Sequence, residues 1–587
     1  NRGRRMSIRR AMAIAFCVVI CAAQERAQES DVLLRAMQDE IRRAPALKLD
    51  GFEPPYFVEY SVDDVRGFTV SAMLGGLLTH NTTRLRMPRV QVRLGSYAFD
   101  NTNYVFTDIF ARAASAGAMP LDDDYATLRR HFWLATDRGY KAAVQTLARK
   151  SAALRNITQQ EPLEDFARAP ATRMVLDVGP PKADEQAWVA RTRALSGILA
   201  RFPAVTSSGA DFEFIHSAFY LANSEGAALR LPDHLATLRA RASAQAPDGM
   251  PVRDAVIFQA IELEQMPSEL DMRRAIEQIG ANVTALASAP RGEDYSGPVL
   301  FEAAAAAQLL AQVLGNNLAL VRRPVAEPGR PAQVMSSELE GRQGSRILPE
   351  WMDVVDDPTQ QTWRGRPLFG HYPVDMEGVV PQPLTLVEKG VLKNFLLTRQ
   401  PVRGYPMSNG RGRMPGSFGT RAAMFGNLFV RATQSTPPAK LKEMLIEMCQ
   451  KRDKPYGLLV RKLDFPSTAS FDELRRLSMA AGQRGGGRPV SPPILVYKVY
   501  RDGREELVRG LRFRGAGVRT LRDIYAAGDD DQAFDYLANN SPLALVGASS
   551  FVVAATVVAP SLLFEDLEME RVEEDWPKLP LVPAPSL

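Results

Sequence analysis

The chain has 587 residues, of which 45% are hydrophobic and 24% are charged, and its formal net charge is +5. These are ordinary globular values, so they exclude a disordered, collagen-like or coiled-coil chain and allow two to four domains. The 72 basic residues are nearly matched by 67 acidic ones, which is not typical of a nucleic-acid-binding protein.

The N-terminus has the pattern of a secretory signal. Four arginines between residues 4 and 10 precede an apolar run over residues 11–23, which ends in two alanines before a polar residue. The run is too short to span a bilayer. We therefore predict a signal peptide over residues 1–23, a periplasmic or secreted protein, and no transmembrane span in the mature chain. A tail anchor or a buried N-terminal helix is the alternative.

Cysteine usage is sparse. Removal of the signal would take away Cys17 and Cys21 and leave Cys449 alone, which excludes an intramolecular disulfide. Cys449 follows a stripe of Leu and Met residues at helical spacing, so we predict that it packs in the core.

The segment after the signal alternates between helical and strand patterns. Hydrophobic periodicity predicts helices over 31–45, 123–155, 188–202 and 265–289, and short strands within 56–108, at 175–178, at 212–226 and within 228–260. The helix over 265–289 is expected to bury Leu270, Met272, Ala275, Ile276 and Ile279. We predict an N-terminal α/β domain over residues 31–290, followed by a polar junction.

The second half is richer in strands. A helix is predicted from Phe301 to about Asn317, and short β segments follow beyond residue 345, interrupted by helices near 439–452 and 471–481. We therefore predict an α+β protein whose second domain, residues 295–572, is large and mostly antiparallel β, with a Pro-rich tail over 573–587.

Metal and nucleophile motifs are scarce. The two nearest of the five histidines lie eighteen residues apart, and no HExxH, HxH or HxxxH pattern occurs. Acidic groups stand in MDVVDDPT (352–359) and HYPVDMEG (371–378); beside Pro and Gly they are typical of solvated turns. The glycine-rich basic stretch 403–421 either contacts an anionic ligand or forms a plain surface loop.

The order of motifs along the chain, all but one of them in the second half, resembles the TldD/PmbA family of metallopeptidase-related proteins, also known as modulators of DNA gyrase. The motifs, in chain order, are YLANSEG (220–226), VVDDPT (354–359), DMEG (375–378), LTLVEKGVLKNFLLTRQ (384–400), SNGRGR (408–413), AMFGNLFV (423–430) and the hairpin 493–513. This resemblance implies the family's fold, with an N-terminal α/β domain and a β-rich C-terminal domain.

In active family members an HExxxH helix and a later Cys bind zinc, and the Glu activates the metal-bound water. Here the two His positions fall on Phe301 and Ala306 and the Glu on Glu302, while the late Cys falls near residues 547–550, where there is none. The resemblance therefore implies no zinc in this chain, only in a paralogous partner. Glu302 is then either a charge at the helix N-terminus or a remnant that faces substrate.

Three functional hypotheses remain open. The first is the metal-free, non-catalytic subunit of a heterodimeric metallopeptidase that acts on unfolded peptides, paired with a related HExxxH-bearing TldD-like subunit and not with nucleic acid. The second is a stand-alone peptide-binding scaffold, and the third is a metallopeptidase with other ligands. The resemblance and the local chemistry suggest these cavity or peptide contacts, with Glu302 at the general-base position: His371, Asp375, Glu377, Arg411, Arg413 and Asn427.

Overall fold

The computed structural model describes residues 31–47, 51–105, 118–155, 163–326, 337–415, 420–469, 475, 479, 489–539 and 552–580. The predicted signal peptide, the position of the family's late Cys and most of the predicted helix 471–481 lie outside the described residues. In the part of the chain that is described, no helix is both long and apolar enough to cross a bilayer.

The N-terminal lobe is one sheet with helices on it. Its helices are α1 (Val32–Arg43), α2 (Tyr125–Leu154), α3 (Glu185–Gly197) and α4 (Glu269–Ser288). Its strands are β1 (Phe57–Met73), β2 (Gly76–Arg93), β4 (Arg173–Val175), β5 (Ser207–Asn223), β6 (Ala228–Pro232), β7 (Leu235–Gln245) and β8 (Pro251–Ala260), while β3 (Tyr104–Val105) lies apart. The sheet has the order β2-β1-β5-β6-β4, and β7 pairs with β5 and β8.

Two clusters of apolar side chains hold helices against this sheet. Helix α1 begins at the N-cap Asp31, whose carboxylate accepts the Leu34 N–H, and it buries Leu34 and Met37 against β1 and α2. Helices α3 and α4 cover the other part, where Trp188 stacks on Phe212 of β5 with ring centroids 3.8 Å apart. These helices occupy only part of the sheet surface, and the remainder faces the second lobe.

The C-terminal lobe contains two larger sheets. One has the order β21-β20-β19-β9-β26-β22, with β23 on β26, and the other has the order β15-β14-β11-β18-β25-β24. The strands are β9 (Tyr295–Phe301), β11 (Met352–Asp356), β14 (Leu384–Glu388), β15 (Val391–Leu392), β18 (Asn427–Ala432), β19 (Tyr456–Leu463), β20 (Pro493–Tyr500), β21 (Glu505–Val508), β22 (Leu511–Phe513), β23 (Ile524–Ala527), β24 (Gln532–Ala538), β25 (Val553–Ala559) and β26 (Leu562–Arg571). This agrees with the predicted fold class.

Helices and short strands complete this lobe. They are α5 (Ala303–Val313), α6 (Pro438–Lys451), β10 (Val325–Ala326), β12 (Thr362–Trp363), β13 (Arg366–Pro367), β16 (Gly412–Pro415) and β17 (Arg421–Ala423). Helix α5 packs against β9 and β19 of one sheet and β24 and β25 of the other, so it lies in the centre of the core. Helix α6 packs on the outer face of the first sheet, where Cys449 is buried as predicted.

Several predicted elements differ from the observed ones. The described part of the β-rich segment 56–108 forms two long strands of 17 and 18 residues and the two-residue β3 rather than several short strands. Leu270 was expected to be buried but is 56% exposed, because it lies in the first turn of α4, ahead of the packed stripe. Phe301 belongs to β9 and not to the helix, because it pairs with Val460 on one side and Leu562 on the other.

Candidate functional site

The DMEG motif forms a tight turn built around one carboxylate. Asp375 is 1% exposed, and its Oδ1 accepts the N–H groups of Glu377 at 2.9 Å and Val379 at 2.8 Å. Its Oδ2 accepts the Gly412 N–H at 2.8 Å. Gly378 has φ +80°, a conformation that glycine adopts without strain. The turn is therefore an Asx-type structure, as its composition suggests, but it is buried rather than solvated.

Glu377 projects from this turn toward the N-terminal lobe. Its Oε2 accepts the backbone N–H of Arg399 at 2.7 Å, and a Cβ atom on Gly412 would lie only 2.4 Å from that oxygen. Only a glycine at position 412 leaves room for the carboxylate. Glu377 is 7% exposed, and its hydrogen bond with Arg399 does not involve Oε1. Burial raises the pKa of Glu377, and the neighbouring Asp375 carboxylate raises it further.

A buried ion pair lies beside the turn. Arg411 donates from Nε to Asp356 Oδ2 at 2.9 Å and from Nη2 to the Gln382 carbonyl at 2.6 Å, and both charged side chains are at most 1% exposed. Asp356 Oδ1 accepts the Gly426 N–H at 2.9 Å. Sequence reasoning left Arg411 in either a ligand-binding or a plain surface loop; the structure shows it fixed in the interior.

The remaining predicted contacts surround the same turn. Arg413 donates to the Phe425 carbonyl at 2.8 Å and its guanidinium lies 4.2 Å from the Tyr372 ring centroid. His371 Nδ1 donates to the Pro358 carbonyl at 2.8 Å. Asn427 is fully buried and donates to two carbonyls of the 357–360 turn, while its Oδ1 lacks a partner among the described residues.

The structure thus gathers six predicted residues into one polar cluster, and they are His371, Asp375, Glu377, Arg411, Arg413 and Asn427. Most of their polar atoms bind the lobe's own backbone. Whether any of them contacts a peptide stays a prediction.

Arg399, which sequence reasoning missed, joins the two lobes. It is fully buried, its Nη2 lies 2.6 Å from Glu225 Oε2, and it donates to the Ala167 carbonyl from Nε and Nη2. Its guanidinium lies 4.0 Å from the Phe166 ring centroid. The only sequence signal was an arginine in the apolar-rich stretch LLTRQ, and its partners lie more than 170 residues away.

The site at the start of α5 is of a different kind. Phe301 and Ala306 are both fully buried in the apolar core of the C-terminal lobe. A phenyl ring and a methyl group offer no lone pair to a metal, so these two positions do not fit the zinc ion that the family implies. Among the described residues, no group of three His, Cys, Asp or Glu side chains could hold a metal ion.

Glu302 lies at the N-cap of α5, but its side chain does not cap the helix. Instead, Glu302 Oε1 accepts Arg461 Nε at 2.8 Å, and Arg461 Nη2 donates to Glu505 Oε2 at 2.8 Å. The Arg461 guanidinium also lies 4.4 Å from the Tyr497 ring centroid. Because Glu505 also pairs with Lys442 of α6 at 2.7 Å, Glu302 lies on the side of the sheet where α6 packs.

Comparisons with known proteins agree with this architecture. Residues 294–464 match the family described as PmbA/TldA metallopeptidase C-terminal domain. This stretch of the chain is therefore similar to the C-terminal domain of the PmbA/TldD family. A curated relative, a metalloprotease of Archaeoglobus fulgidus, is 36% identical over 78 residues, which are 13% of this chain and 17% of that protein. The matched residues therefore cover far less than two thirds of that relative's length.

Solved structures of PmbA/TldD-type proteins share the fold over most of the chain. TldE from Thermococcus kodakarensis has a TM-score of 0.56 at 14% identity, covering 91% of this chain and 100% of that one. A candidate modulator of a DNA gyrase from Thermotoga maritima has a TM-score of 0.54 at 15% identity, covering 87% and 96%. A similar protein from Bacteroides thetaiotaomicron has a TM-score of 0.53 at 12% identity, covering 92% and 98%.

Proposed function

We propose that this chain is the metal-free subunit of an exported, two-subunit peptidase that acts on unfolded peptides. The observation that supports this most strongly is the start of α5, where hydrocarbon side chains, buried in a packed core, occupy the two positions that the family resemblance assigns to histidine. The family is metallopeptidase-related, so a chain that retains the fold without these ligands would need another subunit to supply the metal-bound water.

The surroundings of Glu302 also support the proposal that another subunit performs catalysis. A general base must accept a proton from water or substrate, and its carboxylate has to face that group. Here the carboxylate is held by Arg461, which Glu505 also binds, on the side of the sheet where α6 packs. In our proposal Glu302 therefore contributes to the surface of the lobe and not to catalysis.

Affinity purification from the native envelope tests the pairing. A tagged full-length chain is expected to recover a homologue with an intact HExxxH motif in near-equal amount, and that complex should contain zinc and cleave casein or unstructured peptides. Mass spectrometry of the recovered chain should show processing after Ala23. Recovery of a stable self-dimer without any such homologue would contradict the heterodimer and favour the stand-alone scaffold.

Metal content of the isolated chain is the complementary measurement. We expect less than stoichiometric zinc and no chelator-sensitive cleavage when the chain is purified alone. Tightly held zinc together with cleavage that a chelator abolishes would contradict the proposal and favour a metallopeptidase with other ligands.

A further inference from the structure

The face of the N-terminal sheet that is free of helices meets the DMEG turn. Opposite residues of an antiparallel pair share a face, so Glu59 and Ser61 of β1 share one with Asn223 and Leu221 of β5. A Cβ on Gly378 would lie 3.8 Å from Leu221 Cδ2, which places the turn directly on this face. Glu377 and Glu59 therefore approach the same space from opposite lobes.

A cation borders that space as well. Arg421, the first residue of β17, interacts electrostatically with Glu59 and Asp63 of β1 and with Glu377 of the turn. Its partner strand β16 contains Gly412, on which the Glu377 carboxylate rests. We call the space bordered by Glu59, Glu377 and Arg421 the interlobe cleft.

The three charges of the interlobe cleft are shielded from water and interact electrostatically, but no ion pair or hydrogen bond joins their side chains. Glu59 and Arg421 are half-buried, and their side chains make no hydrogen bond with any described residue. Glu377 is more than nine-tenths buried, and its hydrogen bond with the Arg399 N–H uses Oε2 and not Oε1. Elsewhere on the same sheet Asp63 pairs with Arg89 at 2.8 Å, so the lack of pairing is specific to these groups.

Unpaired, partly desolvated charges are unfavourable, and proteins usually retain them where a ligand completes the pairing. Burial raises the pKa of Glu59, while Arg421 and Arg399 oppose this, and Glu377 raises it through like-charge repulsion. A cation placed between the two carboxylates would remove that repulsion. A carboxylate placed on Arg421 would receive a planar, two-pronged donor.

We propose that the interlobe cleft binds a small zwitterion of the α-amino-acid type, either a free amino acid or a short peptide. Its ammonium group lies between Glu59 and Glu377 Oε1, and its carboxylate binds the Arg421 guanidinium. The inference concerns the isolated chain and does not require the partner subunit of the proposed function.

Calorimetric titration of the purified full chain tests this site. The probes are free alanine, alanyl-alanine, N-acetyl-alanyl-alanine and alanyl-alanine amide. We expect saturable binding of at least one unblocked probe, and loss of about tenfold or more in affinity when its amine is acetylated or its carboxylate amidated. The preference between free alanine and the dipeptide separates the two sources of the zwitterion.

Matched variants locate the binding. Glu59→Gln and Arg421→Met are each expected to weaken binding of the best probe about 10-fold to 100-fold, because each removes a charge-assisted hydrogen bond. Glu264→Gln and Arg519→Met, at exposed positions away from the cleft, should leave it unchanged. Two independent cleft variants keep the test decisive if one of them fails to fold.

The proposal is overturned if no zwitterionic probe binds at millimolar concentration, or if binding survives both cleft variants. Neither result bears on the proposed heterodimer, because the heterodimer is tested by recovery of the partner in affinity purification. Conversely, if the chain binds a zwitterionic probe but recovers no HExxxH-bearing homologue, the proposed function is overturned and the proposed binding site in the cleft is retained.

Discussion

Two regions of the C-terminal lobe differ in how they use buried space. At the start of α5 the interior is hydrocarbon, with Phe301 and Ala306 in full contact with the core. Around the DMEG turn the interior is charged, with Asp356, Asp375 and Arg411 held by backbone groups and by one another. The comparison contrasts a helix start that is packed entirely in hydrocarbon with a polar cluster most of whose polar atoms bind the lobe's own backbone.

The most disruptive way to challenge this comparison is to introduce histidines at Phe301 and Ala306. The double variant Phe301→His, Ala306→His replaces a buried ring by a polar one and inserts an imidazole where only a methyl group fits. We expect a loss of about 4 kcal/mol or more in unfolding free energy and no stoichiometric zinc. Denaturant titration and elemental analysis measure the two quantities.

Zinc uptake with retained stability would show that the start of α5 is a metal site with altered ligands and not a part of the core. Leu310→Met, at another fully buried position of α5, is the matched control, because it changes shape but introduces no hydrogen-bonding donor. That substitution should cost less than about 1.5 kcal/mol.

Breaking the ion pair tests the charged region. Arg411→Met leaves the carboxylate of Asp356 buried without its main partner, although Gly426 still donates to it. Removal of one partner of a buried pair typically costs about 3 kcal/mol or more. Denaturant unfolding measures the loss, and Arg273→Met, which breaks a half-exposed helical pair with Glu269, should cost about 0.5 kcal/mol or less. Equal losses of unfolding free energy in both variants would contradict the conclusion that the buried pair of Arg411 and Asp356 stabilises the fold more than an exposed pair does.

A pH titration sharpens the comparison further. The pKa of Glu377 is raised in the folded chain by burial and by Asp375, so the folded state holds this proton more tightly than the unfolded state. Its stabilising contribution is therefore present below pH 4.5, the ordinary Glu value, and is lost as the pH rises through the raised pKa.

Glu377→Gln keeps an oxygen for the Arg399 N–H but removes the ionisation. We expect the variant to lose less stability than the wild type between pH 4.5 and neutrality, by on the order of 1 kcal/mol. Unfolding free energies at several pH values measure this difference. Parallel curves for the two proteins would show that the Glu377 carboxylate titrates normally, in contradiction to its buried position.

Local sequence patterns predicted elements that depend on near neighbours. Helix α1, the long helix α2 and strand β5 were predicted from the spacing of their hydrophobic residues, and they are confirmed. Phe301 was misplaced because its strand pairing depends on Val460 and Leu562, which lie far away in the sequence.

The same limit applies to the candidate sites. The DMEG motif identified Asp375 and Glu377, but the role of Arg399 depends on Ala167 and Glu225 in the other lobe. The position of Glu59 beside Glu377 and Arg421 likewise depends on how the two lobes meet, and no local sequence pattern predicts that. Composition also favoured solvated acidic turns, whereas Asp356 is buried because a buried arginine accompanies it.

The smallest expected effect concerns Glu302, whose role the family resemblance left open. Its ion pair with Arg461 is about half-exposed, and such pairs contribute about 0.2–1 kcal/mol, so Glu302→Gln should change the unfolding free energy by less than about 1 kcal/mol. If the catalytic water belongs to the partner subunit, peptide cleavage by the assembled complex should also keep its rate. A fall of a hundredfold or more in that rate, with unchanged assembly and stability, would show that Glu302 acts on substrate, and the start of α5 would then be a catalytic site and not only a packed part of the core.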